Sequence, residues 1–263
     1  MPVTVREPAV AGTFYPGRPA RLRETLEDFL AEARDPGEMP PPKALIVPHA
    51  GYVYSGPVAA SVYRRLEPLR ENIRRVVLLG PAHTVYLEGM AVPDVAAFET
   101  PLGKVGLDRP AIESISAMPG VVCSNAAHAR EHSLEVQLPF LQMLLDQFLL
   151  VPIVVGHCDT DQVAAVIDAL WGGSETLILI SSDLSHFLPY GEARELDGNT
   201  CRRIVDKCSS LSGEEACGAY AINGLMRSRH GRNMVVEAVD LRNSGDTAGD
   251  RRRVVGYGAF ALH

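Results

Sequence analysis

The chain has 263 residues, a formal net charge of -7, 46% hydrophobic and 22% charged residues, the balance of a soluble globular protein with room for a sizeable core. An acidic balance argues against general nucleic-acid binding, which needs clustered Lys and Arg to neutralise phosphates; the run Arg251, Arg252, Arg253 reads as a solvated turn. No apolar run approaches the roughly 20 residues that span a bilayer, no basic-then-apolar leader opens the sequence, and five cysteines without CxxC spacing fit free thiols in a reducing cytoplasm.

In chain order, Met1 to Gly17 is irregular, with Pro8, Gly12, Pro16 and Gly17. Arg18 to Ala33 predicts an amphipathic helix from Leu22, Leu26, Phe29 and Leu30 on one face. Asp35 to Pro42 is a proline-rich connector. Ala44 to Val47 is a continuous apolar run closed by Pro48, the pattern of a buried parallel strand. Pro57 to Leu66 predicts a helix with Pro57 in its first turn. Val76 to Leu79 is a second strand, and FETPLGKVGLD within Gly89 to Asp108 a hairpin beside the sheet. Pro110 to Met118 reads as a short helix, and Glu131 to Phe148 as a long one kinked at Pro139. A third strand ends at His157, Asp161 to Leu170 is helical, and a fourth strand ends at Ser181, Ser182, Asp183. Gly213 to Ser228 is a last helix. Met234 to Leu241 and Val254 to Leu262 are closing strands around NSGDTAGD. Alternating strands and helices imply a mostly parallel sheet covered on both faces. No composition shift marks a boundary, so residues 1–263 are expected to form one domain.

Four apolar runs each lead into a histidine: His49, His83, His157 and His186, half of the eight in the chain. Strand ends of α/β sheets are where ligands and reacting groups collect. Imidazoles from different strands can converge there on a metal or move protons near pH 7. Two His and a carboxylate with open positions suit non-haem Fe(II), and a zinc hydrolase uses similar ligands. The candidate carboxylates are Asp183, Glu135 and Asp246. On the predicted long helix, His132 and Glu135 are i, i+3 and face one side. Tyr52 and Tyr54 follow His49 closely enough to line a pocket.

Each feature also has a plainer meaning. A histidine after a strand is commonly a loop residue or a satisfied buried one. His128, His230 and His263 read as solvated surface groups. Glu131 and Glu135 suit the first turn of a helix through its dipole alone. There is no GxGxxG after a strand, no phosphate-binding loop and no nucleophile elbow.

The segments REPAVAGTFYPG, VPHAGYVYSGPVAA, LLGPAHTVYLEGMAV, FETPLGKV, EHSLEVQLPFL, VPIVVG, ISSDLSHF and SGDTAG with VVGYGAFAL cover nearly the whole chain in order. In them the sequence resembles the Memo family, specifically the branch called AmmeMemoRadiSam system protein B. The resemblance implies an α/β/α three-layer sandwich like that of class III extradiol dioxygenases, with a metal pocket at the strand ends. It implies a divalent metal on His49 and His83, with His186 or Asp246 as a further ligand, and Fe(II) favoured over Zn(II) or Cu. It sets Asp183 beside His186 and makes His132 another pocket histidine; His132, His186 and Asp183 are the expected catalytic groups, and Tyr52, Tyr54 and Glu135 the expected lining of a substrate pocket. The eukaryotic branch carries a cysteine ligand that maps here near Thr247, where this chain has none; Asp246 beside it offers a harder carboxylate. The implied partners are a small molecule or peptide and a radical-SAM protein of the same system. Three functions stay open: a metal-dependent oxidoreductase, a metal-dependent hydrolase, and a non-catalytic peptide-binding adaptor.

Overall fold

A computed structural model describes residues 4–34 and 40–263; most of the predicted connector at 35–42 lies outside them. The strands are β1 Val5–Arg6, β2 Ala44–Val47, β3 Arg75–Pro81, β4 Met90–Val92, β5 Ala97–Thr100, β6 Gly103–Gly106, β7 Val121–Cys123, β8 Leu149–Val155, β9 Thr176–Ser181, β10 His186–Leu188, β11 Val236–Asn243 and β12 Val254–Leu262. The helices are α1 Pro19–Glu32, α2 Tyr52–Tyr63, α3 Arg109–Ile115, α4 Asn125–Ala129, α5 Leu138–Leu144, α6 Thr160–Ala169, α7 Tyr190–Val205, α8 Ala219–Arg227 and α9 Ser244–Thr247.

The main sheet runs β10-β12-β2-β9-β3-β8-β4-β7, with β11 on β12. Its centre, β2-β9-β3-β8, is parallel. Antiparallel pairing enters on one side where β12 joins β2 and on the other where β4 joins β8. The central strands are buried throughout, with Leu45, Ile46, Val47, Leu78, Leu79, Ile178 and Ile180 all at 0% exposure. Burying one such side chain contributes roughly 1.5–3 kcal/mol, so uninterrupted apolar runs belong in the middle of this sheet. Helices α1, α2 and α5 pack on one another, and α6 packs on α8, in an α/β sandwich. A small second sheet, β1-β5-β6, holds the predicted hairpin.

Three expectations change. Pro57 lies inside α2, because that helix starts at Tyr52, directly after Gly51. The long helix predicted over Glu131 to Phe148 is an irregular turn, a 3-10 turn at Glu135–Gln137 and the short α5, with Pro139 in the first turn of α5, where its missing N–H is tolerated. Polar side chains hold this segment against the strand ends: Ser133 Oγ donates to the Pro81 carbonyl (2.9 Å), and Gln137 Nε2 to the Pro48 carbonyl (3.0 Å). Finally, α7 was not predicted. Its buried positions are Ala193, Asp197, Thr200 and Ile204, a helical spacing filled largely by small or polar residues.

Candidate metal centre

Parallel strands β2, β3 and β9 end side by side, so the loops after them share one edge of the sheet. His49 follows β2 and His83 follows β3. His132 comes from the turn before α5, which approaches β3 closely at Gly80. A Cβ on Gly80 would meet Ser133 Oγ at 2.8 Å, so glycine there lets Ser133 and Leu134 pack close against β3. The result is that His49, His83 and His132 bring one ligand atom each to within 4.8 Å of one another. The His83 and His132 rings stack with centroids 4.7 Å apart, and His49 stands edge-on to both.

The hydrogen bonds fix how His49 presents itself. Its Nδ1 lies 2.9 Å from Ser181 Oγ. That hydroxyl gives its one proton to the Ser133 carbonyl (2.6 Å) and accepts from Gln137 Nε2 (2.8 Å). It can only accept from His49 as well. Nδ1 therefore carries the proton, and Nε2 presents a lone pair to the centre. Burial, then the neighbouring charges of His83, His132 and His186, hold the His49 pKa well below its ordinary value. Burial likewise lowers His132 and His186. Imidazoles held in this way, with His49 Nδ1 on Ser181 and His83 Nδ1 on Glu131, are a donor set suited to a borderline divalent metal.

Asp183 is buried beside His49. Its Oδ1 accepts the His49 backbone N–H (2.7 Å), and its Oδ2 lies 4.0 Å from His49 Nε2. Burial pushes this carboxyl up to about 7, against the pull of the His49 N–H and the His83 charge. His186 stands at the rim, half-buried, on β10; it is not one of the three converging histidines. The residue after it, Phe187, is exposed and takes a left-handed φ of 61°, a strained conformation for a bulky side chain.

Other expected site residues lie elsewhere. Asp246 is exposed; its oxygens accept from Tyr190 OH (2.5 Å) and the Asn243 N–H (3.0 Å), so it caps α9 and is not among the converging ligands. Tyr52 is buried and its hydroxyl donates to the Val136 carbonyl (2.6 Å); Tyr54 is exposed on α2. Glu135 faces away from the histidines, toward the N-terminal segment, where it accepts from Arg6, the Ala9 N–H (2.8 Å), the Val10 N–H (3.0 Å) and Tyr15 OH (2.5 Å). Its orientation follows from the loss of the predicted long helix. His157 is exposed and packs on Tyr220. His128, expected at the surface, is 2% exposed with Nε2 on the Ala91 carbonyl.

Sequence reasoning missed Cys217. Its Sγ lies 3.3 Å from His49 Nε2 and accepts the Asp183 N–H (3.2 Å). Burial pushes this thiol far up, so it stays protonated. The only signal was the following Gly218, whose absent Cβ would meet Ser182 Cβ at 2.6 Å; nothing periodic marks the position.

A family model for Memo-like protein matches residues 6–261. The chain belongs to this family. A MEMO1 family protein of Aquifex aeolicus is 39% identical, over 96% of this chain and 97% of its own. One of Archaeoglobus fulgidus is 35% identical over 98% and 99%, and one of Ignicoccus hospitalis 38% over 97% of each. Among solved structures, an uncharacterised protein of Escherichia coli K12 superposes with a TM-score of 0.51 at 12% identity, covering 82% of this chain and 98% of that one. That likeness concerns the fold. This Memo-like chain thus carries a three-histidine group that could hold a metal ion. No helix among its described residues is long and apolar enough to cross a membrane.

Proposed function

We propose that this protein is a metal-dependent oxidoreductase of the dioxygenase-like kind, holding a divalent ion, Fe(II) by preference, on His49, His83 and His132. The observation that carries the reading is the convergence of these three imidazoles within 4.8 Å, with His49 Nε2 turned inward by Ser181. Iron so held would supply open coordination positions and one-electron chemistry toward O2. The protein's own groups do the rest. Asp183, with its carboxyl near 7 and Oδ2 4.0 Å from His49 Nε2, can hold or release a proton beside the ligands. His186 at the rim serves as a second proton carrier. Phe14, its ring 4.7 Å from that of His132, shields one flank from water.

A zinc hydrolase is the second reading. It is favoured by Cys217, whose sulfur 3.3 Å from His49 Nε2 would become a soft thiolate ligand where a bound ion displaced its proton.

The test is metal analysis of protein purified without oxygen, beside a His49→Ala/His83→Ala variant. Near-stoichiometric iron that disappears in the variant, with O2 uptake on catechols, supports the oxidoreductase. Zinc that disappears moves the assignment to the hydrolase. No metal after reconstitution with either ion rejects both and leaves a small-molecule or peptide-binding site.

A further inference from the structure

Glu131 stands behind the three-histidine group and is 1% exposed. Its Oε2 accepts the His83 backbone N–H (2.6 Å), and its Oε1 accepts the Ser133 N–H (2.9 Å). The same Oε1 lies 2.9 Å from His83 Nδ1 and 3.5 Å from His132 Nδ1. An ionised carboxylate has no proton to give. His83 Nδ1 must therefore donate, and its Nε2 is left with the lone pair. His132, stacked on His83 at 20°, turns its own Nδ1 toward the same oxygen.

We propose that Glu131 is a positioning residue of the metal centre: one buried carboxylate that hydrogen-bonds His83, holding it in the ligand tautomer, and faces His132 from the neighbouring turn. This rests on the metal reading above. The competing account is that Glu131 merely ties two loops through backbone N–H groups. Glu135 separates the accounts. It is equally buried and accepts four donors against the three hydrogen bonds of Glu131, but none of its four is an imidazole.

The chemistry of an amide makes Glu131→Gln informative. With its NH2 at the Oε2 position, it opposes the His83 N–H. With its NH2 at the Oε1 position, it opposes the Ser133 N–H and donates to His83 Nδ1, moving the ring proton to Nε2. Either way the ligand form is weakened. The experiment joins imidazole nitrogen NMR on the metal-free protein to titration with Co(II), read by its visible spectrum. Wild type should show His83 protonated at Nδ1. Glu131→Gln should raise the Nε2-protonated form, weaken Co(II) binding by about 10–100-fold and alter the spectrum of the bound ion. Glu135→Gln should leave tautomer and affinity as in wild type.

An Nε2-protonated His83 in wild type overturns the proposal, and it does so even if the variant fails to fold. Equal Co(II) affinity in Glu131→Gln and wild type overturns the positioning role alone. A wild type that takes up no Co(II) overturns the metal reading and this role together.

Discussion

Glu131 and Glu135 sit four residues apart in one short segment, and both are buried. Glu131 faces His83 and His132. Glu135 faces Arg6, Tyr15 and the backbone of Ala9 and Val10. The donors around a buried carboxylate decide what it does. A guanidinium and backbone amides have fixed protons, so Glu135 can only anchor, and it anchors the strap that carries Phe14 to His132. An imidazole can carry its proton on either nitrogen, so the acceptor beside it selects which nitrogen is free.

The sharpest way to break this contrast is Glu135→Ala. It strands the buried Arg6 guanidinium, and losing one partner of a buried pair costs about 3–5 kcal/mol. Urea unfolding should show that loss; a change under about 1 kcal/mol would mean the anchor lies elsewhere.

The pH dependence around His128 comes next, since its carbonyl accepts from Arg6 Nε (3.0 Å) on the same side of the molecule. Burial lowers His128 from 6.5 to about 4, and its Nδ1 has no partner among the described residues. The folded state thus binds fewer protons than the unfolded chain between these values. Stability from this group is present above pH 6.5 and is lost as pH falls through about 4, by up to about 3 kcal/mol. His128→Gln should flatten the profile in that window; an unchanged slope would assign the acid sensitivity to other groups.

Tyr15→Phe removes one donor from Glu135 and should cost about 2 kcal/mol with metal affinity unmoved. A weakened Co(II) titration in this variant would erase the division between the two carboxylates. The smallest effect belongs to Asp246→Ala. Loss of this cap should cost about 1 kcal/mol or less, with bound metal equal to wild type; metal lost in this variant would restore Asp246 as a ligand.

The main strands were legible because burial on both faces demands unbroken apolar runs, as in Ala44–Val47 and Thr176–Ser181. Their ends were legible from Pro48, Gly80 and the histidines beyond. Helix α7 was not, because its inward positions include Asp197 and Thr200. One oxygen of Asp197 accepts the Ser185 N–H there (3.0 Å), from a partner twelve residues away in sequence that no hydrophobic period announces.

By itself, the sequence determined the family, the parallel centre of the sheet, and the placing of His49 and His83 just beyond the ends of two central strands. These follow from local composition: apolar runs, turn residues and the motifs between them. Only the tertiary structure decided that His132 completes the group, that Cys217 lies against His49, that Glu131 faces the imidazoles while Glu135 faces away, and that Asp246 stays outside. Those outcomes depend on long-range hydrogen bonds. Ser133 to Pro81, Gln137 to Pro48 and Glu131 to His83 override the helical period of Glu131 to Phe148, because buried polar groups must find partners wherever the fold supplies them.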